Sequence, residues 1–304
     1  RTRKAGRQRY IDFHLLVEQP ARSNWGRWTE FMGSAGIWRR QAIEDCGGWP
    51  TGTGHEDVHA SLLAQCRGWT IQFSATTTSV GRLPQTSAAF RRQQRRWAHG
   101  MGWLTRVLGW RMLTALAPLA ARLTGFFHVT AYAIYLAMTG VMFLSWPVVR
   151  VVAAEPAWRW LDGAAIGLLG LAVIAGARGS AEASRRAGLG RVEGMRADML
   201  RTLMVAGIAV LASRAYLGGL LGIRLRAWQP SGAAGTTPPV FPLDEILEAA
   251  AVGCALAAAR EGFNRGLYFL PLPGLFFAAY TLCFLTAPVW LPLTRRADAP
   301  PASG

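Results

Sequence analysis

Hydrophobic and polar positions follow two different patterns along this chain, and the change lies near residue 100. Before it, short apolar runs alternate with polar and glycine-rich stretches, whereas after it, long apolar segments are separated by arginine-rich stretches. Short runs bounded by turn residues are typical of a soluble α/β domain, and long ones are typical of membrane helices. The pattern predicts an α/β part over residues 1–100, followed by an α-helical transmembrane domain.

The first part contains two predicted helices and a strand. Residues 38–46 form a short predicted helix that ends at Gly47, and a second helix begins near His55 and ends near Gly68. Residues 69–74 alternate between apolar and polar side chains, which predicts a strand.

The second part is predicted to lie on the membrane and then to cross it. Over residues 101–124, arginines recur among leucines and tryptophans, which is typical of an amphipathic helix in the membrane interface. Residues 125–294 are predicted to hold transmembrane helices with cytoplasmic loops, and residues 295–304 a disordered tail. The apolar segments of the membrane region cover residues 125–149, 161–177, 203–221, 243–259 and 267–293.

Two polar features interrupt these segments. The arginine-rich stretch 178–201 is predicted to be a cytoplasmic loop, because basic residues collect on the cytoplasmic side of membrane proteins. Arg214 falls inside the segment 203–221, where a lone arginine is costly in lipid. That segment is therefore expected to bend, to re-enter the membrane or to continue as an interfacial helix.

Composition and charge support a membrane protein. The chain has 33 Lys and Arg against 17 Asp and Glu, a formal net charge of +16, but 51% of its residues are hydrophobic. A soluble protein with that charge would suggest nucleic acid as a partner. Because the arginines lie between apolar segments, we expect membrane lipid and no nucleic acid, and an integral protein of a bacterial-type inner or plasma membrane with its catalytic part in the cytoplasm.

Neither the cysteines nor the first residues of the chain supply a candidate catalytic or metal-binding group. Cys46, Cys66, Cys254 and Cys283 are isolated in sequence and lack the spacing of a metal site, so we expect reduced packing residues. The chain opens at Arg1 with neither an initiator Met nor a signal peptide, which leads us to expect that a further N-terminal part belongs to the natural protein.

A candidate binding face lies on the helix predicted between residues 87 and 101. Gln93, Arg96 and Trp97 are spaced i, i+3 and i+4, so they share one face. An indole, a guanidinium fork and an amide suit a sugar and its phosphate. For Arg91, Arg92 and Arg95 we expect a solvated face or contact with anionic lipid headgroups.

A second candidate feature precedes it. Glu56 and Asp57 lie in a predicted first helical turn, where acidic residues often only complement the helix dipole. Their glycine-rich approach and the Gln/Arg/Trp face make Asp57 a candidate general base. Residues 31–37 are rich in small side chains, at positions 33–36, and suit either a loop that approaches a ligand closely or a tight turn.

Taken together, these stretches resemble the processive membrane glycosyltransferases of family 2, which include cellulose, glucomannan and hyaluronan synthases. One such stretch is a weak signal, but their order along the chain is specific. The stretches are Phe31 to Arg40 followed by Gly47-Gly48-Trp49 (F-N-G-T-A-G-x-W-R-R…G-G-W in the family), His55-Glu56-Asp57 (T-E-D), Gln93 to Trp97 (Q-x-x-R-W) and Ser213 to Gly222 (N-A-R-A-V-L-E-G-L-L-G).

The resemblance implies that residues 1–100 are the C-terminal part of a GT-A-type nucleotide-sugar transferase domain. It implies an inverting transfer from a UDP-glucose or GDP-mannose type of donor to a β-linked polysaccharide or glycolipid acceptor, with product export. Asp57 would be the general base, and Glu56 would position either this base or the acceptor. The binding residues implied are Gln93 and Arg96 for the diphosphate, Trp97 for the acceptor sugar, and Phe31, Gly33, Ser34 and Trp38 beside the acceptor.

Departures from the family pattern leave alternatives open. The family's two metal-binding aspartate motifs do not occur before Phe31, so we expect no metal ligands in this chain, Mg²⁺ or Mn²⁺ in the full-length protein, and an inactive isolated chain. Met32 replaces the usual Asn, His55 replaces Thr, and the gate is reduced to Leu225–Pro230. The alternatives are a single-transfer enzyme with a lipid acceptor and a non-catalytic scaffold or export subunit.

Overall fold

The computed structural model describes residues 14–33, 35–51, 54–74, 77, 84, 87–186, 188, 190–223 and 242–290. A π-helical turn at His14–Glu18 opens the described chain, and short 3₁₀ turns precede α6 and α7, at Ala131–Ala133 and Pro156–Trp158. The α-helices are α1 (Gln19–Asn24), α2 (Arg40–Asp45), α3 (Glu56–Cys66), α4 (Ser87–Thr114), α5 (Leu119–Val129), α6 (Ile134–Ala154), α7 (Trp160–Arg186), α8 (Arg191–Ala206), α9 (Ala209–Leu220), α10 (Pro242–Asn264) and α11 (Leu272–Trp290).

Residues 69–74 do not form the predicted strand, and the described part of the chain contains helices and irregular segments without a strand. The alternation still sets exposure, since apolar positions there are half-buried and polar ones exposed. Side chains hold the segment instead of a strand ladder: the Thr29 hydroxyl donates to the Ile71 carbonyl at 3.0 Å, and the Phe73 N–H donates to Ser23 Oγ at 3.1 Å. An alternating pattern indicates that a segment has one buried and one exposed face. Such a segment forms a strand only where a partner strand lies beside it.

Helix α4 forms the centre of the fold and runs without a break across the predicted boundary at residue 100. Its buried residues Leu104, Leu108 and Met112 recur every four positions, as on one face of a helix. Helix α9 packs against it at backbone distance. A Cβ on Gly102 would lie 2.1 Å from the Tyr216 carbonyl oxygen, and one on Gly219 would lie 2.0 Å from the His99 carbonyl oxygen.

Within the described residues, the helical stretch Ala131–Ala154 is the one that is long and apolar enough to cross a bilayer, with 24 residues and a mean hydropathy of 1.7. It begins later than the span expected at residues 125–149, because α5 and the 3₁₀ turn precede it. The shorter apolar stretch Leu272–Leu282 lies in α11.

The predicted loop at residues 178–201 is wrong. Helix α7 continues to Arg186 and α8 begins at Arg191. Glu182 binds the guanidinium groups of Arg185 and Arg186 at 2.8 and 2.6 Å, and pairs spaced i, i+3 and i, i+4 support a helix. The many arginines of this stretch therefore indicate helices with polar surfaces and not a loop.

The interruption predicted at Arg214 lies elsewhere. The helix breaks at residues 207–208, between α8 and α9, and continues through Arg214, whose guanidinium forms an ion pair with Asp244 of α10. Because the Asp244 carboxylate compensates the charge of Arg214, the helix continues past this arginine without a bend. The expected gate and tail, residues 225–230 and 295–304, lie outside the described residues.

Candidate active site

Asp57 lies in the first turn of α3, directly after the glycine-rich approach. Gly54 has a positive φ of 66°, which lets the chain turn into the helix at His55. The Asp57 side chain is half-buried, whereas that of Glu56 is exposed. One carboxylate oxygen of Asp57, Oδ1, accepts the Val58 N–H at 2.8 Å.

The other oxygen of Asp57 faces the backbone of the loop that follows Glu30. Gly33 has a φ of 83°, and a Cβ there would lie 2.9 Å from Asp57 Oδ2. The backbone angle disfavours any residue with a Cβ, and a Cβ would also force the Asp57 carboxylate to shift. The structure thus brings Gly33 and Asp57 together, while the predicted contact residue Ser34 lies outside the described residues.

Two polar side chains of α3 fasten this loop. Ser61 Oγ accepts the Phe31 N–H at 2.9 Å and donates to the Asp57 carbonyl at 2.7 Å. Gln65 accepts the Thr29 N–H at 3.0 Å and donates to the Thr29 carbonyl at 2.7 Å. Sequence reasoning missed both residues, although their signal was visible: they are polar positions on a helix face whose neighbours are apolar and buried.

Three aromatic rings form an open cluster beside the loop. Phe31, Trp38 and Trp49 meet edge to face, with ring centroids 5.4 to 6.2 Å apart. Gly36 packs closely on the Phe31 ring, since a Cβ there would lie 2.8 Å from it. Trp49 is 37% exposed, so the cluster keeps an accessible side. Indole faces of this kind suit the apolar face of a sugar. Trp49 was not among the predicted contact residues.

The surroundings make Asp57 more basic than an ordinary aspartate. Burial raises the pKa of its carboxyl, the hydrogen bond from Val58 opposes the shift, and the negative charges of Glu56 and Glu30 raise the pKa further. The raised pKa of Asp57 favours proton uptake, as general-base catalysis requires.

His55, in place of the family's Thr, is buried between α3 and α4. A Cβ on Gly100 would lie 2.0 Å from His55 Nδ1, so the imidazole rests directly on the backbone of α4. Burial and, to a smaller extent, the positive charge of Arg96 lower the pKa of His55 to about 4. The ring is therefore neutral at pH 7, and Arg96 lies within electrostatic range of the N-terminus of α3.

Gln93, Arg96 and Trp97 lie on α4 at the predicted helical spacing, and all are half-buried. Their roles toward a diphosphate and a sugar stay predictions. The solvated or lipid-facing reading of Arg91 and Arg95 is wrong. Arg91 lies 2.8 Å from the fully buried carboxylate of Glu248, and Arg95 lies 3.8 Å from Asp244, so both arginines join α4 to α10.

A divalent cation, which the resemblance implies, has no fitting ligand set in the described part of the chain. No three His, Cys, Asp or Glu side chains converge there in a way that would hold a metal ion. We therefore derive no catalytic step through a metal.

Comparison with known proteins identifies the segment that carries this site. Residues 9–149 match the family model Glycosyl transferase family group 2. These residues belong to glycosyltransferase family 2. The match includes the loop with Gly33, all of α3 and α4, and α5.

Curated relatives of this glycosyltransferase segment are similar over about a third of the chain. Probable glucomannan 4-beta-mannosyltransferase 6 of Oryza sativa subsp. japonica is 37% identical over 105 residues, which are 34% of this chain and 18% of the relative. Glucomannan 4-beta-mannosyltransferase 1 of Cyamopsis tetragonoloba is 40% identical over 90 residues, 30% of this chain and 17% of the relative. The matched stretch thus spans under a fifth of these relatives, and no solved structure matches the chain.

Proposed function

We propose that this chain forms the acceptor side of an inverting, polysaccharide-forming glycosyltransferase at a membrane, with Asp57 as general base. The close approach of the Gly33 backbone to Asp57 Oδ2 carries the proposal. The aromatic rings of Phe31 and Trp38 lie beside the same loop, and the pKa of the Asp57 carboxyl is raised. The names of the relatives favour a mannosyl donor of the GDP-mannose type over UDP-glucose, and a β-1,4-linked acceptor.

In the proposed reaction, the acceptor hydroxyl gives its proton to Asp57 while its oxygen attacks the anomeric carbon of the donor sugar. The new bond forms on the face opposite the leaving group, so the anomeric configuration inverts. The bond between the anomeric carbon and the phosphate oxygen breaks, and the nucleoside diphosphate leaves with the electron pair. Gln93 and Arg96 bind that diphosphate, and Trp97 stacks on the acceptor sugar.

The remaining parts of the proposal concern the membrane and the donor. The catalytic part lies on the cytoplasmic side, and the helices from α6 onward hold the enzyme in the bilayer and conduct the product. Binding of the donor with Mg²⁺ or Mn²⁺ requires ligands other than the described residues, so the isolated chain does not transfer sugar by itself. Turnover of nucleotide sugars by the isolated chain contradicts this last part.

Asp57→Asn in the full natural protein tests the proposal. The expected result is a loss of polymer synthesis of ~10²- to 10⁴-fold, because the amide keeps the shape of the carboxylate but accepts no proton. Incorporation of labelled sugar into membranes measures it. Glu44→Gln is the matched control, since this exposed carboxylate on α2 binds only Arg40 in the described structure, and activity should stay within twofold.

Two results contradict parts of the proposal. Unchanged polymer output from Asp57→Asn identifies a scaffold or export subunit whose carboxylate does no chemistry. A wild-type product that is a glycolipid of defined size, and not a polymer, identifies a single-transfer enzyme with a lipid acceptor. Gel filtration of the labelled product separates these cases.

A further inference from the structure

A closed ring of four ionisable side chains lies outside the candidate active site, between the first described residues and α5. His14 places Nδ1 2.9 Å from Glu18 and Nε2 2.8 Å from Glu30. His128 of α5 places Nδ1 3.3 Å from Glu18 and Nε2 2.7 Å from Glu30. The two imidazoles stack 5.6 Å apart with planes 14° from parallel, so each carboxylate bridges both rings.

This geometry favours charged imidazoles. Each ring nitrogen faces a carboxylate oxygen, which only accepts, and His14 Nε2 also lies 3.2 Å from the Gln19 amide nitrogen. The four carboxylate contacts therefore favour a proton on both nitrogens of each ring. Burial lowers the pKa of His14, but hydrogen bonds and attraction from Glu18 and Glu30 outweigh it and raise that pKa to about 9. Burial likewise opposes ionisation of Glu18 and Glu30, but the histidines hold the pKa of both carboxyls well below the usual range.

Other charged groups surround the ring. Arg22 of α1 binds Glu18 at 3.2 Å and donates to the Thr124 carbonyl of α5 at 3.1 Å. Arg186 of α7 donates to the Leu16 carbonyl at 2.9 Å. The charged groups that contact the ring from its own elements are Glu18 and His14 on the first turn, Arg22 on α1, Glu30 before the loop and His128 on α5. On α7, Arg186 reaches the first turn through the Leu16 carbonyl and pairs with Glu182.

The ring connects directly to the segment that holds Asp57. Gln19, which is fully buried, donates to the Glu30 carbonyl and accepts the Glu30 N–H, both at 3.4 Å. On either side of Glu30, the Thr29 and Phe31 amides donate to Gln65 and Ser61 of α3. Glu30 is thus bound to α5 through its side chain and to α3 through its neighbours.

We propose that this ring fixes α3 against α5, so that Glu30 and His128 are positioning residues that set where Asp57 lies relative to the membrane side of the enzyme. The effect on sugar transfer rests on the proposed function above. Since α5 leads into the apolar stretch Ala131–Ala154, the ring is the point where the catalytic part is tied to the helix that enters the bilayer.

His128→Gln in the full natural protein tests the inference, because glutamine keeps a donor but not the charge. Wild type, His128→Gln and the control His99→Gln are compared; His99 lies on α4 outside the ring, with Nε2 2.7 Å from the Ile223 carbonyl oxygen. We measure protection of the Thr29 and Phe31 amides against hydrogen exchange, and kcat and KM for the nucleotide sugar, from pH 6 to 10. If His128→Gln does not yield monodisperse protein, Glu30→Gln takes its place.

Two results are expected, one at pH 7 and one as the pH is raised. In His128→Gln the two amides lose protection at least tenfold at pH 7, and kcat falls about tenfold with KM within twofold, whereas His99→Gln matches wild type. The gap between wild type and His128→Gln closes as pH rises through about 9, where His14 gives up its proton and the wild-type ring opens.

Three results overturn the inference. Unchanged amide protection in His128→Gln shows that the ring does not hold the segment. Lost amide protection with unchanged kcat shows that the ring holds the segment but does not position Asp57. A stoichiometric metal that copurifies with wild type and is lost in His128→Gln shows a metal centre in place of the ion-pair ring. If wild type transfers no sugar, the proposed function is overturned, and amide protection alone decides whether the ring holds α3.

Discussion

At the scale of single residues, the close approach of Gly33 to Asp57 is the contact that bears most directly on the proposed base. A glycine there allows two things at once, a left-handed backbone and a carboxylate in contact with the main chain. These two requirements can be separated by experiment, because Gly47 has nearly the same φ, 84° against 83°, but nothing within 4 Å of its missing Cβ.

Gly33→Ala should therefore lower kcat much more than Gly47→Ala. Both substitutions force alanine into an unfavourable backbone angle and should cost similar stability, about 1–2 kcal/mol. Only Gly33→Ala pushes a methyl group against Asp57, and we expect at least a tenfold further loss of kcat. Thermal unfolding and initial-rate measurements on both variants check this. Equal losses of activity would show that the contact with Asp57 does not matter.

The raised pKa of Asp57 gives a prediction with a definite sign. A carboxyl whose pKa is higher in the folded than in the unfolded protein destabilises the fold when it is ionised, and this penalty disappears as pH falls below both pKa values. Asp57→Asn should therefore unfold at the same temperature as wild type or a higher one at pH 7, although it is inactive. In wild type, the acid limb of kcat/KM should lie above the ordinary pKa of aspartate, near 3.9. Clear destabilisation of Asp57→Asn contradicts this.

At this scale, the sequence predicted the local helical positions of the residues better than their partners. The helical spacing of Gln93, Arg96 and Trp97 and the position of Asp57 in a first helical turn followed from local pattern. The partners Ser61 and Glu30 could not be predicted, because hydrogen bonds between residues that are distant in sequence depend on how elements pack. The roles of the predicted site residues stay predictions until the substitutions above are measured.

At the scale of elements, α4 and α9 pack so closely that glycine at the contact is a requirement of packing. A Cβ on Gly219 would also lie 2.7 Å from the Trp103 amide nitrogen, and neither backbone atom can move aside without separating the helices. The nearby pair of Thr105 Oγ1 and Tyr216 Oη, 3.2 Å apart, depends on the same close approach.

Gly219→Ala should destabilise the protein by about 1–3 kcal/mol through overpacking. Gly167→Ala on α7 is the matched control, since nothing lies within 4 Å of its missing Cβ. There, alanine should be neutral or stabilise by up to ~1 kcal/mol through helix propensity. Unfolding of both variants in the same detergent gives the comparison. A Gly219→Ala protein as stable as Gly167→Ala would mean that the two helices lie farther apart than described.

Element boundaries were predicted poorly where charge was taken to mark a loop. The stretch 178–201 is mostly helical because its charges pair along the helix, and Arg214 stays inside α9 because Asp244 compensates it. Residues 69–74 kept their two faces but gained no strand partner among the described residues. In each case the local structure depends on whether an ion-pair partner or a partner strand is present. That presence depends on how the whole chain folds and not on the local sequence.

At the scale of the whole molecule, ion pairs connect the candidate site to the last described helices. Arg91, on the helix of Gln93 and Arg96, binds Glu248 of α10, which is fully buried. Removal of one partner from a buried pair leaves an uncompensated charge, which costs far more than loss of an exposed pair.

Arg91→Met should lower the free energy of unfolding by about 2–4 kcal/mol, and the double variant Arg91→Met/Glu248→Met should recover most of that loss. The control is Arg40→Met, whose partner Glu44 lies 2.6 Å away but whose side chain is 91% exposed, so we expect a loss below ~1 kcal/mol. Chemical denaturation in one detergent compares the variants. Additive effects of the two methionine substitutions would exclude a coupled pair.

The ion pair between Arg91 and Glu248 can form only after both residues have been synthesised. The two residues are 157 positions apart, and a ribosome adds roughly 5–20 residues each second. Helix α4 is therefore synthesised roughly 8–30 seconds before the carboxylate that neutralises Arg91 emerges. During that interval Arg91 lacks the carboxylate of Glu248, and the helix that carries Gln93 and Arg96 reaches its final packing only after α10 has been made.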